Sequence, residues 1–168
     1  MSTLTFDIAI LKSALALRGE SAQVNAMMGE IGQLVATISH YLEGSAQDPR
    51  LITQIAKTLI LTEQMLLIFE RNPSAASAPA FGLSQGLREA RFLCGGVLSA
   101  LSTVLEPKGS WIRPYVAKRI CDLSQALGRV AESLGIEPVQ AEITAIQDRL
   151  KHQILDQQKP GLDAKPTP

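Results

Sequence analysis

The chain of 168 residues is short of aromatic side chains, which make up 4% of it, and holds only two cysteines, Cys94 and Cys121. Without a CxxC pair or a dense cysteine framework, neither disulfide stapling nor a zinc knot is suggested. An excess of charge is missing too: Lys+Arg and Asp+Glu are both 16. That balance argues against the phosphate-backbone attraction of a nucleic-acid binder. No segment approaches about 18 uninterrupted apolar residues, and the opening MSTLTFDIAILK carries Asp7 in its apolar stretch without a basic start. The expectation is a cytoplasmic protein with no transmembrane segment. Catalytic and metal signatures are equally sparse. The only histidines, His40 and His152, lie far apart, and no HExxH, GxSxG, Walker A or GxGxxG sequence occurs.

What is present is helical spacing. Val116, Ile120, Leu123, Leu127, Val130 and Leu134 step by threes and fours, as do Val139, Ile143, Ile146 and Leu150, and Met27, Ile31, Leu34, Ile38 and Tyr41. Capping chemistry sets the boundaries. Ser21 opens the second helix and Gly44 closes it; Asp48-Pro49 opens the third and Asn72-Pro73 ends it; Ser110 starts the fifth, Gly135 stops it, and Pro138 restarts the chain. The predicted helices cover about 4–18, 21–43, 49–71, 84–105, 111–134 and 138–157. No strand-like alternation competes. The fold class is therefore all-α, a bundle of five to six helices forming one domain over 1–157, followed by a flexible tail at 158–168. Residues 72–82 form a connection long enough to cross an end of the bundle.

The third predicted helix is apolar on more than one face. Ile52, Ile55, Leu59, Leu66 and Phe69 form one stripe, and Ile60, Leu61, Met65, Leu67 and Ile68 wrap beyond it. Either this helix is central or one face meets another subunit or a protein partner. The first helix raises the same question, and a homo-oligomer is expected. Gly95-Gly96 inside a helical pattern costs about 1 kcal/mol per glycine relative to alanine, so the pair serves close packing, a bend or the approach of a ligand. His40 in ISHYLEGSA is superficially similar to a histidine phosphotransfer motif, but Glu43 stands where that family has a lysine and Pro49 interrupts its helix. Arg119, Asp122 and Arg129 align on one side of the fifth helix, as a solvated ion pair or as a buried seam.

Three segments resemble the trimeric ATP:cobalamin adenosyltransferases of the five-helix-bundle type. Arg119 to Arg129, RICDLSQALGR, is similar to RLSDLLFVLAR of that family at Arg119, Asp122, Leu123, Leu127 and Arg129. LREARFLC matches LHxARTxC at Leu87, Ala90, Arg91 and Cys94, and RGESAQVNAMMG matches YGTVDELNSALG at Gly19, Asn25 and Gly29. The resemblance spans about 19 to 129 in conserved order. It implies a cobalamin adenosyltransferase-like bundle, a trimer, and a ligand site drawn from Asn25, Arg91, Gly95, Gly96, Arg119 and Asp122.

The departures fall on the ATP site. The TKTGDxG loop has no counterpart before Gly19, and where the family reads RTxxRRAER this chain reads RFLCGGVLS, keeping Arg91 alone. The acid that partners this arginine in the family falls at Ala22, the asparagine before the RLSD run is Lys118, and the following aromatic is Gln125. What the resemblance implies is a pseudoenzyme, a non-catalytic or repurposed homologue. It would bind a corrinoid, another tetrapyrrole or a small hydrophobic molecule, with ATP unlikely as a ligand. The rival class is an all-α interaction or assembly module without a small ligand. Arg91, Arg119 and Asp122 are expected to share one polar site between the fourth and fifth helices.

Overall fold

In the computed structural model, which describes residues 4–44, 49–69, 82–104 and 113–158, each predicted helix is present: α1 (Ile8–Arg18), α2 (Glu20–Leu42), α3 (Arg50–Ile68), α4 (Leu83–Val104), α5 (Arg113–Leu134) and α6 (Ile136–Gln158). Helix ends follow the chemistry of single residues. Asp7 caps α1, accepting from the Ile10 N–H at 3.2 Å, so the helix begins at Ile8 and not at 4. Residues 4–7 run outside it, with the Thr5 backbone bonded twice to the Gln140 amide, at 2.8 and 3.0 Å. Gly19, at φ 77°, is the single residue between α1 and α2. It replaces Ser21 as the residue preceding α2, because its left-handed backbone both ends one helix and begins the next. Gly44 and Gly135 also have positive φ, at the ends of α2 and α5 where the sequence placed stops. The expected signals at Asp48, Asn72-Pro73 and Ser110, the crossing segment 72–82, and all but the first residue of the 158–168 tail lie outside the described residues.

Named contacts fix the directions of the helices. The α2–α3 pair is antiparallel, joined by Gln23 with Gln64 and by Glu30 with Gln54. Arg113 at the start of α5 reaches Glu20 at the start of α2 and lies over the Phe69 ring at the end of α3. Gly86 and Glu89 near the start of α4 meet Val130 and Arg129 near the end of α5, and Arg91 meets Ser39 late in α2. The pairs α2–α3, α2–α4, α3–α5 and α4–α5 are thus antiparallel, while α3 and α4 run parallel, as do α1 and α6, whose starts meet at Thr5 and Gln140. The chain leaves α3 at one end of the bundle and enters α4 at the other, the connectivity of a four-helix bundle with one long crossover.

The core fills with the predicted stripes: Met27, Ile31, Leu34 and Ile38 of α2, Leu87, Cys94 and Leu101 of α4, and Ile120, Leu123 and Leu127 of α5 are fully buried. Val139 and Ile143 of α6 close the side of α3 that α2 and α5 leave open, with α1 beside them. The double-faced α3 is therefore the central helix, in contact with α1, α2, α5 and α6. By length and composition it could cross a membrane, yet most of it is buried among the other helices.

Candidate ligand-binding site

Backbone exposure is the first feature of the site. On α4, residues 92, 95, 96 and 99 share one face by helical spacing. Phe92 stands 81% exposed there. A Cβ placed on Gly95 would meet no atom within 4 Å, so the helix backbone is bare beside the ring. Gly96 faces the Arg119 side chain of α5, with the guanidinium 3.8 Å from where its Cβ would lie. Arg119 in turn donates through Nε to the Tyr115 hydroxyl at 3.1 Å and lies over the Tyr115 ring, 5.1 Å from its centroid. Stacking and a hydrogen bond hold the cation in place next to the bare backbone. Such a face offers a flat apolar group a ring, a glycine floor and one positive charge.

The other expected residues go to separate partners. Arg91 turns to α2 and donates to the Ser39 hydroxyl at 3.3 Å. Asp122 is held by Lys118 at 3.0 Å, one turn earlier on α5. Asn25 is exposed on α2. Arg91, Arg119 and Asp122 thus go to three different partners and not to one another: Ser39 on α2, and the i−4 neighbours Tyr115 and Lys118 on α5. The α4–α5 seam is instead bridged by Arg129 of the same stripe, which pairs with Glu89 at 2.8 Å. Replacing Asp122 with alanine is accordingly expected to cost less than about 1 kcal/mol in urea denaturation, the scale of an exposed pair.

Behind the exposed face the chemistry is inert. Cys94 is fully buried, and desolvation pushes its thiol up to about 12, far from thiolate reactivity at neutral pH. Among the described residues no group of His, Cys, Asp and Glu could hold a metal ion.

A row of buried polar side chains on α3 had no clear signal in the sequence: Gln54, Thr58, Thr62, Glu63 and Gln64. Thr58 and Thr62 return their hydroxyls to their own helix, at 2.8 and 2.7 Å. Gln64 accepts from Gln23 Nε2 at 2.6 Å and donates to the Leu11 carbonyl at 3.4 Å, tying α1, α2 and α3 together. Glu63, 9% exposed, has its carboxyl pushed up by burial and partly drawn back by the Ser124 hydroxyl of α5.

Comparison with protein-family models, with curated proteins and with solved structures finds no match to this chain.

Proposed function

We propose that the protein is a non-catalytic binding bundle related to the cobalamin adenosyltransferases, which assembles as a homo-oligomer and holds a flat ligand against the outer face of α4 and α5. The observation that carries this reading is Phe92, 81% exposed beside the bare backbone at Gly95. An exposed aromatic ring beside bare helix backbone, one turn before the glycine that faces Arg119, gives another subunit or a planar ligand a surface to stack on. The single crossover between parallel α3 and α4 and the antiparallel neighbours support a bundle of that general type. A corrinoid or other tetrapyrrole would lay its ring on Gly95-Gly96 and its acidic side groups near Arg119. ATP finds little here: of the cations that would neutralise a triphosphate only Arg91 remains, and it is turned toward α2.

Native mass spectrometry of the protein as purified is expected to give a trimer carrying a bound small molecule. Phe92→Glu should yield the 18.1 kDa monomer with an unchanged helical circular-dichroism spectrum. ATP and reduced cobalamin should give no cobalt–carbon bond formation above the uncatalysed rate. A wild-type monomer at micromolar concentration rejects the assembly, and a heterologous protein mass in its place would favour an interaction module using the same face.

A further inference from the structure

A single residue separates α1 from α2. Gly19 holds φ 77° and ψ 163°, a region that glycine alone readily occupies, and a Cβ there would meet no atom within 4 Å, so the turn is open on that side. Helical bonding continues on both sides of it. The Gly19 N–H donates to the Leu15 carbonyl at 2.9 Å, and the Gly19 carbonyl accepts from the Gln23 N–H at 3.1 Å. Missing among the described residues are the bonds in between, from the Glu20, Ser21 and Ala22 amides to the Ala16, Leu17 and Arg18 carbonyls. No side-chain cap at the start of α2 stands in for them. Rotation of Gly19 into the helical region would complete these bonds and fuse α1 and α2 into one helix. Against that change α1 buries two of its residues, Leu11 and Ala14. It is tied to the other helices by Gln64, which donates to the Leu11 carbonyl at 3.4 Å, and by the bonds between Thr5 and Gln140.

We infer that α1 is an exchangeable arm, with Gly19 as its hinge and a second copy of this chain as its partner. Fused with α2 in one copy, the arm takes the place of α1 on α3 and α6 of the other, which returns its own arm in exchange. Helical register gives the direction. At about 100° per residue, Leu11 lies roughly 160° and 200° around a fused helix from Met27 and Ile31, so the apolar side of the arm turns away from its own body and toward another. In the closed chain Gln64 reaches both Leu11 and Gln23, on either side of the hinge, so α1 folds back along the course of α2. Two fused helices running antiparallel about a two-fold axis at Gly19 lay each arm in that same direction on the other copy. The exchanged state keeps the contacts of Leu11 with Gln64 and of Thr5 with Gln140, now between copies, and adds the helical bonds at the hinge. It also gathers at the axis the two copies of Leu17, which is 48% exposed in the closed chain and two residues from Gly19. Phe92 and the α4–α5 face take no part, so the exchange stands or falls independently of the planar ligand.

The test uses two full-length species in which Cys94→Ala and Cys121→Ser remove the native thiols. One carries Ala14→Cys and the other Leu150→Cys, positions that line one crevice between α1 and α6. A disulfide between the species forms at that crevice only when the arm of one copy sits on the body of the other. A chain carrying both cysteines, which closes the bond within itself, shows that the pair is in reach, and an unchanged helical spectrum checks that each variant folds. Mixed at high concentration, incubated and then oxidised, the two species are expected to give a covalent heterodimer. Gly19→Ala in both should raise its yield about tenfold or more, because alanine favours the helical conformation and disfavours the closed one. Inserting Gly-Ser-Gly after Gly19 should suppress it, because a longer connection lets each arm return to its own body. Absence of the heterodimer with both Gly19 and Gly19→Ala overturns the exchange. A heterodimer formed in equal yield by all three hinges overturns Gly19 as the hinge.

Discussion

Replacing Gln64 with alanine is expected to destabilise the bundle by about 3–5 kcal/mol, combining a core cavity with newly stranded polar groups. Gln64 is 1% exposed, and its amide is the partner of both Gln23 and the Leu11 carbonyl. Gln23 is fully buried and already has one oxygen, Oε1, without a hydrogen-bond partner. Losing Gln64 would leave its whole side-chain amide unpaired. Changing both residues to leucine removes donor and acceptor together, and the double variant should lie within about 1 kcal/mol of wild type or above it. Urea denaturation of Gln23→Leu, Gln64→Leu and the double variant gives the coupling directly. Additive losses would show that the two amides do not act as a pair.

Glu63 should make stability fall as pH rises. Its folded carboxyl titrates above the ordinary carboxylate range because burial disfavours the anion, against a smaller opposing effect of Ser124. Well below the unfolded value of about 4.5 the group is protonated in both states and costs nothing. Above it the unfolded chain releases its proton first, and the native state loses ground until its own acid ionises. Every tenfold change in the acid constant corresponds to about 1.4 kcal/mol. Glu63→Gln keeps the shape and cannot ionise, so its stability relative to wild type should grow as pH rises above about 4.5 and level off once the native acid has ionised. A difference independent of pH would remove Glu63 as the source.

Much of the architecture could be read from spacing and punctuation. The apolar stripes of α2, α5 and α6 lie in the core, and the glycines at 44 and 135 end helices with the backbone geometry that glycine favours. The surplus apolar positions of α3 foretold a helix buried on two faces, and its contacts decide for a central position over an external one. The polar residues of α3 were harder to place, because Gln, Glu and Thr in an amphipathic pattern are assigned to water by default. Their burial depends on α1, α2 and α5 bringing Leu11, Gln23, Glu30 and Ser124 to them, which is tertiary information.

The site was legible only in part. Gly95 and Gly96 mark a bare stretch of helix, as a pair without side chains should. Spacing placed Arg119 and Asp122 on one face, yet it could not choose between a partner across the seam and one a single turn away, and Lys118 and Tyr115 prevail.

The central position of α3 also bears on how the chain is made. As the polypeptide emerges from the ribosome, α3 appears third among six helices, when only α1 and α2 are available to it. The surface destined for α5 and α6 stays open until residues beyond 113 have been synthesised. Over that interval a helix that is apolar on two faces keeps one of them toward solvent, a period of exposure to aggregation. The amides of Gln54 and Gln64 then have a second use: by pairing with Glu30, Gln23 and Leu11 they can hold α3 against α1 and α2 before the later helices arrive.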